Sequence, residues 1–267
     1  MLFNIPRIYT LSSGSSGNCA FVSSGAVSLL IDAGISMRAT NSALRSIGGS
    51  LGDISAIFIT HEHSDHIKGL PMMTSKFPDI PVYVPAGSIP YLPADIDRAS
   101  VRPVRSGDCV LIGDIAVTAF GTPHDSADSV GYTFTLTGRK FGLATDMGLP
   151  TKQVADALTG CERVIIEANY DRSMLEEGPY PYYLKQRIKS KGGHLENSEC
   201  ARMISYLALN GTTHFMLAHL SEANNTPEAA LFAVRSFLDE NNIKADVSAA
   251  ARHGISCLID ESLQQSG

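Results

Sequence analysis

The segment Thr60-His61-Glu62-His63-Ser64-Asp65-His66 places three imidazoles and two carboxylates within seven positions, directly after the apolar run Ile57-Phe58-Ile59. These are the side chains that hold divalent cations, and an apolar β run ending in them reads as a buried strand delivering a metal site to its carboxyl end. His61 and His63, two apart on an extended backbone, point the same way and can share one metal. Asp65 and His66 lie past the strand, where a turn can aim them at a second metal alongside. Such spacing suits a two-metal hydrolytic site better than one structural zinc. A solvated loop is the bland alternative, and it would have little use for three of the chain's eight histidines.

Two metals need further donors, expected as His or Asp at the ends of other apolar runs. His124, Asp146 and His219 stand at such ends, after Phe120, Phe141–Ala144 and Phe215–Ala218, and Asp32 closes the run Leu29-Leu30-Ile31. An imidazole–carboxylate set without thiolate suits zinc, manganese or iron. His194 follows Gly192-Gly193 and precedes Asn197-Ser198, which are expected to cap a helix over Glu199–Leu209. Backbone N–H groups at a helix start bind phosphate, so Asn197 and Ser198 read as substrate contacts. An imidazole beside them can touch a phosphoryl oxygen or protonate a leaving group. Ser15 and Asn18, in the glycine–serine loop Ser12–Asn18, are candidate anion contacts, against the plainer reading of a wide hairpin loop. Lys185, Arg187, Lys189 and Lys191 fall within seven residues and read either as a phosphate track or as a solvated helix face.

Positioning these side chains requires strands that end at one edge. Period and turn signals predict strands at Ile8–Leu11, Cys19–Val22, Val27–Ile31, Ile54–Thr60, Val82–Val84, Cys109–Ile112, Ile115–Phe120, Val130–Leu136 and Phe141–Ala144. Further strands are predicted at Arg163–Ile166, His214–Ala218 and Ala245–Ala249. Helices are predicted near Met37–Ile47, Ile67–Lys76 and, opened by Thr226-Pro227-Glu228, over Ala229–Leu238. No repeat, low-complexity tail or Pro-rich linker interrupts the chain, so residues 1–267 read as one layered α/β (α+β) domain with sheets inside and helices outside. Five scattered cysteines, never in a CxxC pair, point to reduced thiols in a cytoplasmic setting. The opening MLFNIPRIYT lacks a basic-then-apolar signal pattern, and no apolar run suits a membrane span. A formal charge of −6 gives no overall basic footprint, so a nucleic-acid partner would be held by local patches and bound cations.

The order HxHxDH, then His, Asp and His resembles the metallo-β-lactamase superfamily over nearly the whole chain. That resemblance implies an αββα four-layer sandwich and two divalent metal ions. It would give His61, His63 and His124 to one metal, Asp65, His66 and His219 to the other, and Asp146 as a bridge. Asp32 would buttress the metal loop without ligating, and Asp65 would orient the attacking water. His194 resembles the non-ligand catalytic histidine of the phosphodiesterase branches, with Glu167 orienting it. Only 73 positions separate Asp146 from His219, which leaves no room for a β-CASP insertion. The blocks Gly14–Cys19, His61–Gly69, Glu167–Asp171, Tyr180–Lys185, Gly193–Leu195 and Ala218–Ser221 resemble the YycJ/WalJ-type exonuclease branch. Tyr170 and Glu196 depart from it, standing where His and Ser are expected, and the second departure touches substrate preference. The implied activity is a metal-dependent phosphodiesterase or nuclease, first of all an exonuclease on DNA rather than RNA. Alternatives are hydrolysis of a small cyclic or nucleotide phosphodiester, a thioesterase or lactamase, or a regulatory module without turnover.

Overall fold

The computed structural model describes residues 5–261. Residues 1–4 and 262–267 of the predicted domain, including the first part of the opening segment, lie outside the described residues.

The first half of the chain forms β1 (Arg7–Ser12), β2 (Cys19–Ser23), β3 (Ser28–Ile31), helix α1 (Met37–Ser46), β4 (Ala56–Phe58), helices α2 (Ser64–Ile67) and α3 (Leu70–Lys76), β5 (Val82–Pro85) and β6 (Val101–Val104). The second half forms β7 (Cys109–Ile112), β8 (Ile115–Gly121), β9 (Val130–Leu136), β10 (Arg139–Ala144), α4 (Lys152–Leu158), β11 (Arg163–Glu167), α5 (Arg172–Glu177), α6 (Tyr182–Ile188), α7 (Asn197–Leu209), β12 (His214–Ala218), α8 (Pro227–Glu240) and β13 (Asp246–Ala249). A last strand, β14 (Ser256–Asp260), returns to pair antiparallel with β1.

Two seven-stranded mixed sheets result, ordered β14-β1-β2-β3-β4-β5-β6 and β13-β12-β11-β10-β9-β8-β7. Within each, one strand switches the ladder. β3 pairs antiparallel with β2 and parallel with β4, and β10 pairs antiparallel with β9 and parallel with β11. Parallel neighbours need crossovers, and the helices supply them on the outer faces. Alternating residues of each strand therefore serve two cores. Leu29, Ile31 and Phe58 meet Val117, Tyr132, Phe141 and Met216 between the sheets. Leu30 and Ile57 pack outward on Leu44, Leu70 and Met73, while Val164, Ile166 and Phe215 pack outward on Leu158, Ile204, Leu207 and Val234. This is the αββα sandwich, and strands buried on both faces explain the continuous apolar runs of the sequence.

Several boundaries differ from the sequence expectation. The strand predicted over Ile54–Thr60 stops at Phe58, so His61 and His63 sit in a loop. The helix predicted over Ile67–Lys76 is broken at Lys68-Gly69 into α2 and α3. A Cβ on Gly69 would lie 2.1 Å from the Ile35 carbonyl oxygen, so only glycine lets the chain pass there. α7 begins at Asn197, with Glu196 rather than Asn197-Ser198 as the residue before it. Strand β6, with Pro103, occupies a sheet edge, where a missing N–H costs least.

Candidate metal centre

All the predicted ligands gather at the carboxyl ends of β4, β8, β10 and β12, with Asp32 beside them at the end of β3. The backbone there is held in unusual conformations. Asp32, Asp146 and His219, each directly or almost directly after its strand, have φ of 62°, 57° and 54°. Left-handed backbone at a non-glycine residue costs about 1 kcal/mol or more, so three such residues on one rim mark a functional edge.

The loop after β4 alternates in direction although it is no longer a strand. His61 and His63 face inward with ring centroids 4.5 Å apart, while Glu62 faces away to accept from Ser88 Oγ at 2.5 Å and the Ala127 amide at 2.7 Å. His124 closes this group, 4.8 Å from His61 and 5.0 Å from His63 between centroids, with its Nε2 3.3 Å from His63 Nδ1. A second group joins Asp65, His66 and His219. The Asp65 Oδ2 atom lies 3.5 Å from His66 Nε2 and 3.5 Å from His219 Nε2. Asp146 reaches both groups, with one oxygen 3.4 Å from His66 Nε2 and the other 3.8 Å from His124 Nε2.

Each group offers one ligand atom per residue, and these lie within 4.8 Å of one another. Three buried atoms in this cluster, His61 Nε2, Asp146 Oδ2 and His219 Nε2, have no hydrogen-bond partner. Burying bare polar atoms is costly, so an imidazole–carboxylate set with unspent lone pairs fits a divalent cation.

Carboxylates behind the cluster fix the rings. Asp32 accepts from the Thr60 amide at 2.8 Å, from Thr60 Oγ1 at 3.0 Å and from His66 Nδ1 at 2.7 Å. Glu167, fully buried at the end of β11, does the same for the other half. Its Oε1 lies 2.7 Å from His194 Nδ1 and 3.0 Å from His219 Nδ1, and its Oε2 accepts from the Met147 amide at 2.8 Å. The His124 Nδ1 is turned toward the Gly193 carbonyl at 3.1 Å. Such outer partners fix the tautomer so that the other ring nitrogen faces a metal.

Electrostatically, His66 and His219 form a proton store in the metal-free protein. Burial opposes protonation of His219, but Asp146, Asp65 and Glu167 outweigh it and push the imidazole up to about 10. Burial likewise opposes protonation of His66, which Asp32 and Asp146 nevertheless hold well above the ordinary value. Asp65 and Asp146, despite burial, are held well below the carboxylate range by the surrounding imidazoles. His61 is lowered, by burial first and then by His66.

Not every predicted contact lies in this cluster. Asn18 is buried, and its Nδ2 sits 3.3 Å from Asp65 Oδ2 and 3.0 Å from His66 Nε2, inside the ligand set rather than on a substrate face. Asn197 is buried in an amide pair with Asn225, and Ser198 Oγ donates to Glu196 at 2.7 Å, so neither caps α7. The Lys185 ammonium donates to the Glu176 carbonyl at 2.7 Å, away from the ligands. Glu196 itself is buried and paired with Arg172 at 2.5 Å, so its charge is met by a guanidinium. Ser15 is exposed and, with Asn169, Tyr180, Arg187 and His194, lines a pocket of about 180 Å³ against the centre. Sequence reasoning assigned no role to Asn169, whose Nδ2 donates to the His219 carbonyl at 2.8 Å, or to Ser13, whose Oγ accepts from the His219 amide at 2.8 Å. Their position beside motif residues was the one available signal.

Residues 28–220 match the family model described as a beta-lactamase superfamily domain. The chain is 37% identical to the exodeoxyribonuclease YycJ of Bacillus anthracis, across 86% of this chain and 88% of that protein. It is 35% identical to the exodeoxyribonuclease WalJ of Streptococcus pneumoniae, across 82% and 83% of the two chains. Among solved structures, the metallo-β-lactamase fold protein YhfI from Bacillus subtilis matches with a TM-score of 0.73 at 14% identity, covering 95% of this chain and 99% of that one. That last likeness is one of fold. With its sandwich, its strand-end ligand cluster and these relatives, the chain belongs to the metallo-β-lactamase superfamily, on the branch of the YycJ and WalJ proteins, and is a metal-dependent hydrolase.

Proposed function

We propose that this chain is a two-metal phosphodiesterase that shortens DNA from an end. His61, His63 and His124 would hold one cation, Asp65, His66 and His219 the other, with Asp146 between them. Zinc, manganese and iron all suit that donor set. When bound, two such cations acidify an intervening water and neutralise charge on the phosphoryl oxygens. Asp65 would orient the attacking water. Asp32 and Glu167 keep the ligating rings in register.

The observation that carries the phosphodiester reading is His194. It is an imidazole beyond those the ligand set requires, a quarter exposed, on the pocket wall, and held at Nδ1 by the same Glu167 oxygen that holds His219. With Nδ1 engaged by that carboxylate, Nε2 is left to meet a phosphoryl oxygen or to serve the leaving oxygen. Its neighbour Arg187 adds a guanidinium to the pocket. The DNA assignment is supported by the exodeoxyribonuclease names of the relatives, and the free cysteines support a cytoplasmic setting.

The test is hydrolysis of end-labelled linear DNA beside bis(p-nitrophenyl) phosphate and a 2′,3′-cyclic nucleotide, with Mn²⁺ and then Zn²⁺. Progressive shortening by the wild type, abolished in His61→Ala, is expected. Cleavage confined to the small diesters would replace the nuclease reading with a small-substrate phosphodiesterase.

A further inference from the structure

Glu62 stands between two proposed ligands and belongs to neither metal group. It is half-buried and turned away from His61 and His63, with an uncharged partner on each oxygen. The Ser88 hydroxyl donates to Oε2 at 2.5 Å, and the Ala127 amide donates to Oε1 at 2.7 Å. Ser88 is fully buried, and its Oγ also lies 2.7 Å from the Asp128 carbonyl oxygen. The Asp128 carboxylate in turn accepts from the Gly87 amide at 3.0 Å. Three segments meet here: the HxHxDH loop, residues 86–88 after β5, and residues 122–129 between β8 and β9, which carry His124.

His124 needs a tether of this kind. It follows a strand of the second sheet, whereas His61 and His63 follow a strand of the first, so no ladder sets their spacing. At the base, the Val130 amide donates to the Thr60 carbonyl at 3.0 Å, and the Thr122 amide closes the 122–129 loop on the Ser129 carbonyl at 3.0 Å. Beyond that closure one flank is held by residues 192–193. The Asp125 amide donates to the Gly192 carbonyl at 2.8 Å, and His124 Nδ1 lies 3.1 Å from the Gly193 carbonyl oxygen. The other flank, Ala127 and Asp128, is held by Glu62, Ser88 and Gly87. Without the Glu62 carboxylate that flank loses its bond to the loop of His61 and His63.

We infer that Glu62 is a positioning residue that holds His124 against His61 and His63, and so sets the affinity of that group for its cation. This rests on the assignment of two metal groups and adds what aligns one of them. A carboxylate suits the task because it accepts from two donors at once, one on each oxygen. Glutamine can keep both contacts. Its Oε1 accepts from the Ala127 amide, and its Nε2 donates to Ser88 Oγ, whose own proton then turns to the Asp128 carbonyl. Alanine keeps neither. Removing an outer partner that orients a metal ligand lowers metal affinity about 10–100-fold.

The experiment is calorimetric titration of the chelator-stripped full-length protein with Zn²⁺, with melting of the metal-free protein as the check on folding. Wild type should take up two cations. Glu62→Ala should weaken one of them about 10–100-fold and leave the other close to wild type, with little change in metal-free Tm. Glu62→Gln should restore the weakened cation. In a His219→Ala background, which disables the other group, the remaining cation should be the one that Glu62→Ala weakens. Ser88→Ala leaves the carboxylate in place and should show the same selective loss in smaller degree. It carries the test should Glu62→Ala not fold, and two unweakened cations there would then overturn the brace. Wild-type affinity for both cations in Glu62→Ala, equal weakening of both, or a Glu62→Gln as weak as Glu62→Ala would each overturn it while leaving the metal assignment intact. Uptake of fewer than two cations by the wild type would sink the assignment and the brace together.

Discussion

Glu167 couples the two ends of the chemistry through one oxygen atom, since His219 on the metal side and His194 on the pocket side share it. A carboxylate so placed has two separable consequences. His194→Ala should lower kcat on a phosphodiester by about 10²–10⁴ while metal content, read by plasma emission, stays at wild-type level. Glu167→Gln should lower kcat and also loosen the metal by about 10–100-fold, because His219 loses its orienting partner. Equal metal affinity in Glu167→Gln and wild type would confine Glu167 to the His194 side. Glu167 and His219 were legible in the sequence because each stands where an apolar run stops, and His194 because it lies between Gly192-Gly193 and a helix start. Asn18 was legible only as part of a glycine–serine loop, and nothing local signalled that its amide would turn toward Asp65 and His66 rather than toward solvent. Asn197 and Ser198 carried the residue types of a cap, but the buried pairing of Asn197 with Asn225 overrides that propensity.

At the scale of elements, the metal loop is pinned by the backbone as well as by its own side chains. The Asn18 amide donates to the Asp65 carbonyl at 2.8 Å, and the Ala33 amide donates to the His66 carbonyl at 2.7 Å. Gly34 is where the loops after β3 and β4 touch, since a Cβ there would lie 1.7 Å from the Asp65 carbonyl oxygen. Gly34→Ala must therefore displace Asp65. It should cost about 1–3 kcal/mol of stability and reduce bound metal, measured by urea unfolding with and without metal. An unchanged midpoint and full metal content would show that the loop can yield. Sequence periodicity found the strands that carry ligands, because burial on both faces makes them continuously apolar. It passed over the edge strands β6 and β14, although it found the edges β7 and β13, and over α4, α5 and α6, whose short spans give little periodic signal. Their caps, Thr151 and Asp171, were the readable signs of the first two.

For the whole molecule, the cluster lies across the seam between the two sheets. The first half of the chain brings His61, His63, Asp65 and His66, and the second brings His124, Asp146 and His219. A cation bound here joins the halves, so chelation should lower Tm, by an amount that grows with the free metal concentration at which the loaded protein is measured. Protons and metal compete for the same nitrogens. In the metal-free protein, His219 has a raised folded-state value of about 10, so its contribution to stability is full below its unfolded value and is lost as pH rises toward 10. Asp65 and Asp146 are depressed, so theirs is present above the usual carboxylate range and lost as pH falls through it. The metal-free Tm should therefore peak in the mildly acidic range and decline on both sides. Metal affinity should instead rise with pH, with proton release detected by calorimetry in buffers of different ionisation heat. A metal-free Tm that climbs from pH 6.5 to 10 would contradict the proton store.

The division of ligands between halves also bears on how the protein is made. A nascent chain that has reached β6 carries the whole HxHxDH segment but neither His124 nor Asp146, and one that has completed α7 still lacks His219. On the proposed assignment, the second cation has its full set of holders only when β12 has been synthesised and has docked beside β11. On that assignment, a fragment ending before β12 would hold part of the ligand set without the complete site, and it is expected to be inactive in the DNA-shortening assay.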